Sequence, residues 1–122
     1  MSAIQYLLDE HVGHALRDGV NGRWPDIVVW AVGDPAAPGR GTLDPDILLW
    51  CQAHGFILVT NNRASMPGHL KAHLAAGRHV PGILVLNDEM SIRATIDELA
   101  IISGASDPDE YVDQLRYLPV TS

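Results

Sequence analysis

The sequence predicts an α/β domain built on a small, mainly parallel sheet flanked by helices in three layers. Short apolar runs rich in β-branched residues recur at residues 4–8, 27–32, 56–60 and 83–86, and each ends in a polar turn. Stretches with helical spacing separate them, and strands alternating with helices imply βαβ units with right-handed crossovers. Phe56-Ile57-Leu58-Val59-Thr60 also follows a helical stretch and Gly55 directly, which is half of such a unit. At 122 residues the chain fits one domain, residues 1–122, able to bury a core without disulfides.

Taken in order, Ile4-Gln5-Tyr6-Leu7-Leu8 reads as a first strand running straight into Asp9-Glu10-His11, so two acids stand at a strand end. Val12, Ala15 and Leu16 keep helical spacing over residues 12–18, with Gly19 as the stop. Asn21, Gly22 and Pro25 build a turn before a second strand at residues 27–32. Residues 33–42 hold three glycines and two prolines and read as an irregular loop, the most mobile part of the chain.

Asp44-Pro45-Asp46 opens the next helix, with Asp44 as N-cap, Pro45 at the first position and Asp46 favouring the positive end of the dipole. Ile47, Leu48 and Cys51 form its apolar face and Gly55 ends it, after which comes the strand that closes on Thr60-Asn61-Asn62. Pro67 begins a third helix. Gly82-Ile83-Leu84-Val85-Leu86 is a strand ending in Asn87-Asp88-Glu89, and Ser91 caps a helix carrying Ile92, Ile96 and Leu99. An acidic helix over residues 107–115 then leads to Tyr117-Leu118-Pro119-Val120, an edge strand because proline cannot donate to a ladder. The expected strand order is 2-1-3-4 with the last strand at the edge. It sets three polar strand ends side by side: Asp9-Glu10, Thr60-Asn62 and Asn87-Glu89.

Composition narrows the function. One cysteine, Cys51, leaves no internal disulfide or cysteine zinc site, and it falls on an apolar helix face. No apolar run is long enough to cross a bilayer and the N-terminus does not read as a signal peptide, so the expected place is the cytoplasm. A formal net charge of −7 argues against gripping nucleic acid by bulk electrostatics. His69 and His73 have the spacing of a helical ligand pair, but no glutamate completes a hydrolase motif and a solvated face accounts for them. Gly39-Arg40-Gly41 lacks the strand and helix of a phosphate loop.

The acids Asp9, Glu10, Asp44 and Asp46 are the strongest candidate site. Carboxylates gathered without basic residues repel, and a hard cation such as magnesium or manganese is the usual way to hold them together. Such an ion lowers the pKa of bound water and stabilises charge on phosphate. Capping and the helix dipole explain Asp44 and Asp46 equally well. Asp9, where a buried strand surfaces, has no such bland account.

Leu7-Leu8-Asp9-Glu10-His11, then Asp44-Pro45-Asp46-Ile47-Leu48 through Ala53-His54-Gly55-Phe56-Ile57-Leu58-Val59-Thr60-Asn61, and later Gly82-Ile83-Leu84-Val85-Leu86, resemble the small PIN-like proteins related to VapC-type toxins. The resemblance covers roughly the first ninety residues. It implies a PIN-like fold and a Mg- or Mn-dependent ribonuclease, often the toxin half of a toxin–antitoxin pair, with RNA as substrate, a cognate antitoxin as partner and a homodimer as assembly. The family's first acid falls on Asp9 with Glu10 beside it, and its middle acid on Asp44. Its third signature, Thr-Asn-Asp, falls on Thr60-Asn61-Asn62, so an amide stands where an acid is expected; Ala64 and Ser65 fill the places of a later Asp and Phe. The implied set is therefore Asp9, Glu10, Asp44, Thr60 and Asn62, with Asp9, Asp44 and Asn62 toward the metal. An amide brings no charge, so metal affinity falls, and Asp88 or Glu89 at the next strand end is placed to compensate.

Two expectations result: a metal-dependent ribonuclease, or a degenerate PIN-like binding or regulatory module that lost its cluster at Asn62. A receiver-like signalling domain would need a phosphoacceptor Asp ending the third strand, and Thr60-Asn61-Asn62 offers none. Trp24, Trp30 and Tyr117 serve either a core or a dimer interface.

Overall fold

In the computed structural model, which describes residues 3–120, the chain runs β1 (Gln5–Leu8), α1 (His14–Arg23), β2 (Val28–Ala31), α2 (Asp44–His54), β3 (Ile57–Thr60), α3 (Met66–Ala75), β4 (Ile83–Val85), α4 (Ile92–Ala105) and β5 (Leu115–Tyr117). The strands form one sheet of order β2-β1-β3-β4-β5, parallel at every pairing. This is an α/β fold of three layers. Helices α1 and α4 pack together on one face and α2 and α3 on the other. Because side chains alternate along a strand, β1 sends Tyr6 and Leu8 to the first face and Leu7 to the second, while β3 sends Ile57 and Val59 to the first and Leu58 to the second. All of these are buried, as strands covered on both faces require.

The hand of one crossover departs from expectation. The step from β4 to β5 crosses the sheet in the opposite sense to the step from β1 to β2, yet α1 and α4 share a face, so these two connections have opposite hands. The connections through α1, α2 and α3 share one hand; that through α4 differs. On that face Val59 and Leu84 share one buried cluster with Leu16 and Val20 of α1 and with Ile96, Leu99 and Ile102 of α4. Burying side chains of this size is worth roughly 1.5–3 kcal/mol each.

Several local expectations are corrected. Gly19 does not stop α1, which continues to Arg23. A Cβ on Gly19 would lie 2.4 Å from Ile96 Cδ1, so this glycine lets α1 and α4 approach closely. Asn21 and Gly22 are consequently helical, and the turn before β2 falls on residues 25–27. Asp44 is the first helical residue rather than the cap: Leu43 is the N-cap, with no side-chain cap bond. Residues 107–113 form turns in place of the acidic helix, with Tyr111 buried and Asp113 at φ 62. The edge strand ends at Tyr117, and Pro119 lies beyond it. Gly55, in contrast, closes α2 at φ 74 as expected, and Ser91 Oγ caps α4 by accepting the Ala94 N–H at 3.0 Å.

The loop of residues 33–42 is tied down. Asp34 accepts the Ala31 N–H at 2.8 Å and pairs with the Arg17 guanidinium. Gly33 N–H reaches the Pro38 carbonyl at 2.8 Å, and Gly41 N–H reaches Glu10 Oε1 at 2.7 Å. Burial alone would raise the Asp34 pKa, but the Ala31 N–H and the Arg17 guanidinium outweigh it and hold the carboxyl below its usual range.

Candidate functional site

Neighbouring strands β1 and β3 leave the sheet in opposite directions, since β1 connects outward to β2 and β3 onward to β4. Their carboxyl ends therefore frame the crevice where open α/β sheets bind ligands. The Asp9 N–H still pairs with the Val59 carbonyl at 2.9 Å, so Asp9 continues the ladder one residue past β1. By alternation Asp9 and Thr60 face the α2/α3 layer and Asn61 the other.

Asp9 is 9% exposed and Thr60 fully buried. The Thr60 hydroxyl donates to Asp9 Oδ2 at 2.8 Å, and the Glu10 N–H donates to Asp9 Oδ1 at 2.8 Å. The same Thr60 oxygen accepts the Asn62 N–H at 3.0 Å. One buried hydroxyl thus fixes both the carboxylate of Asp9 and the backbone turn after β3.

Asn62 carries the path onward. Its Nδ2 donates to Asp44 Oδ2 at 3.0 Å and to Ser65 Oγ at 2.7 Å, while its Oδ1 accepts the Ser65 N–H at 3.1 Å. A carboxylate only accepts and a backbone N–H only donates, so these partners fix which end of the amide is which. His69 Nε2 stands 3.6 Å from the same Asp44 oxygen, within ion-pair range but too far for a hydrogen bond. A continuous path, Asp9 to Thr60 to Asn62 to Asp44, joins the two acids.

Of the expected residues, the structure links Asp9, Thr60, Asn62 and Asp44. Glu10 turns aside to hold the Gly41 N–H, and Asp46 is exposed and outside the network. Asp88 and Glu89 stand exposed at the neighbouring strand end, and among the described residues neither bonds to the Asp9–Asp44 path. Cys51 is buried, and burial first, the Asp9 charge second, push its thiol well above the ordinary range, which leaves it inert. The helical histidines are not a solvated face. His73 is 5% exposed and bonds Gln52 Oε1 and the His79 carbonyl, each at 3.0 Å. Two further residues brace this path: Ser65 holds Asn62, and His69 stands beside Asp44. Ser65 stands three residues after Asn62, in the pattern of local amide-to-backbone bonding; the helical spacing of His69 pairs it with His73 and does not point to Asp44.

Neither a family model, nor a curated protein, nor a solved structure matches the chain.

The donor set at this strand end suits a divalent cation in part. Asp9, Glu10 and Asp44 offer only hard oxygens, and among the described residues no lysine or arginine pairs with Asp9 or Asp44. No group of three or more His, Cys, Asp or Glu side chains converges among the described residues. Magnesium is typically held by one or two carboxylates with waters and substrate phosphate completing its shell, so the two linked acids fit it. Asn62 fits less well, because it presents its NH2 group to Asp44 while its oxygen is held by Ser65.

Proposed function

We propose that this chain is a metal-dependent ribonuclease of PIN-like type, acting in the cytoplasm as the toxin component of a toxin–antitoxin pair. The observation that supports it most is the joining of Asp9 and Asp44 at the carboxyl ends of β1 and β3, with no lysine or arginine paired to either among the described residues and His69 the one ionisable base near Asp44. Asp44 does not cap its helix, although as an acid in the first turn it still favours the positive end of the dipole.

Asp9 and Asp44, with Glu10 beside them, would hold magnesium or manganese. When bound, such an ion polarises a phosphate oxygen and supplies hydroxide from water at neutral pH. Thr60 keeps the Asp9 carboxylate in one orientation by its hydroxyl, and Asn62 does the same for Asp44 through its amide. Arg40, Arg63, Lys71 and Arg78 are exposed and would meet RNA phosphates, offsetting the acidic balance. A cognate antitoxin and a second copy of the chain are the proposed protein partners.

Purified protein should cleave RNA with manganese, stop in EDTA, and lose activity on Asp9→Asn. Intact RNA under all three conditions would sink the proposal.

A second reading is favoured by one contact, the Asn62 NH2 group on Asp44 at 3.0 Å. There the amide supplies the positive partner that a cation would otherwise supply, and the domain is a non-catalytic binding or regulatory module. Asn62→Asp decides between them: cleavage that appears only in the variant marks the natural site as degenerate.

A further inference from the structure

The carboxyl end of the sheet carries a second feature on the face opposite Asp9. Between the starts of α1 and α4 lies a cleft of about 300 Å³, walled by Val12, Leu86, Met90 and Ile92 with Asn61 and Asp88 among its polar lining. A wider hollow of about 690 Å³, lined by Arg63, Glu89 and Tyr117, shares Asn87 and Asp88 with it. Sharing those residues makes the two one groove across the ends of β3, β4 and β5.

Its chemistry is specific. The walls are mostly apolar, and Ile92 at the mouth is 57% exposed. Asn87 uses its Oδ1 to accept the Glu89 N–H at 2.9 Å, leaving its NH2 group to donate. Asp88 enters no hydrogen bond or ion pair among the described residues, so its carboxylate is left to accept. An apolar slot with a carboxylate and an amide NH2 on neighbouring residues suits a flat heterocycle whose edge carries two adjacent donors and one acceptor. Guanine has that edge: N1–H and N2–H toward Asp88, O6 toward Asn87. Adenine and cytosine would turn a lone pair toward the carboxylate. In the wider hollow, Tyr117 is 51% exposed and the Arg63 guanidinium sits 5.8 Å from its ring centroid. The guanidinium lies over one face of the ring, and this arginine–tyrosine pair offers planar surfaces on which a base can stack, with the arginine as phosphate partner.

We propose that this groove takes single-stranded RNA, with one unstacked guanine in the smaller cleft and a neighbouring base on Tyr117. The inference rests on the ribonuclease reading and names its substrate. Recognition in this groove is by base rather than by backbone, because among the described residues Arg63 is the only lysine or arginine lining the two hollows. The groove therefore contributes about one phosphate contact, and Arg63→Gln should flatten the logarithmic salt slope by about 0.7.

The test is fluorescence anisotropy with the full chain in EDTA, using labelled uridine oligonucleotides that carry one guanine, adenine or cytosine, or none, and a duplex of the same sequence. Guanine should tighten binding at least about five-fold over the all-uridine strand, the scale of one bidentate base contact. Asp88→Asn should abolish that preference, and Tyr117→Ser should weaken every strand alike. Both side chains are exposed, and circular dichroism checks that both variants fold. Equal binding of all strands, tighter binding of duplex, unchanged preference in Asp88→Asn, or binding of an arginine-rich peptide in place of RNA would each overturn the inference. Because the readout needs no cleavage, guanine preference without cleavage in manganese would remove the hydrolytic reading alone. Cleavage without guanine preference would remove this inference alone.

Discussion

Replacing Asn62 with aspartate probes the site from both sides. The substitution puts a carboxylate oxygen where the amide nitrogen now sits, 3.0 Å from Asp44 Oδ2. Two like charges at that distance repel by about 1 to 5 kcal/mol for effective dielectrics between 80 and 20. The Asp44 side chain is only 22% exposed, which favours the upper half of that range until one of the two carboxyls takes up a proton instead. With the lost hydrogen bond included, a net destabilisation of about 3 kcal/mol is expected, a fall in melting temperature of roughly 9–15 °C for a chain of this size. A cation between the two carboxylates reverses the sign, and at a hundred times its Kd it returns about 2.7 kcal/mol. Thermal unfolding by circular dichroism, in EDTA and in a manganese series, measures both effects. Asn62→Asp should melt below wild type in EDTA and rise with manganese more steeply than wild type does. Wild-type melting in EDTA would show that Asn62 and Asp44 are not engaged, and a flat manganese response would remove the cation from the account.

Other outcomes follow from the same contacts. Thr60→Val keeps shape but strips the hydroxyl from a buried carboxylate, so urea unfolding should show a loss of about 1.5–3 kcal/mol, with Thr60→Ser much closer to wild type; equal losses would remove the hydroxyl's role. Gly19→Val should destabilise by about 1–3 kcal/mol through crowding against Ile96, and Ile96→Ala in the same chain should recover part of that loss rather than add to it. Asp34 has its pKa held below the unfolded value, so its stabilising contribution is complete above about pH 4 and disappears as pH falls through the lower folded value. The stability gap between wild type and Asp34→Asn should therefore be widest at neutral pH and close in acid, and a gap independent of pH would show that the Arg17 and Ala31 contacts do not act through its charge.

Much of this architecture is legible because the strands are short, apolar and cleanly ended. Near-continuous apolar runs, as a doubly covered sheet requires, and the glycine after α2 place β1, β3 and β4, and with them the three polar ends. What stayed hidden depends on contacts distant in sequence. Gly19 reads as a helix stop, and only Ile96, far along the chain, shows it to be a point of close approach. Asp44 reads as a cap because its neighbours Pro45 and Asp46 suit a helix start, whereas its partner Asn62 comes from the turn after β3. The hand of the last crossover follows from α4 joining α1 on one face of the sheet, a property of the assembled fold. His69 approaches Asp44 from α3, and no local spacing announces it.

The central claim is that Asp9 and Asp44 together hold a divalent cation, and calorimetric titration of the purified chain with manganese tests it most directly. The account predicts one ion per chain, with binding abolished by Asp9→Asn and weakened by Asp44→Asn, in proteins that keep wild-type circular dichroism. No heat of binding in the wild type, or binding that survives Asp9→Asn unchanged, would contradict it.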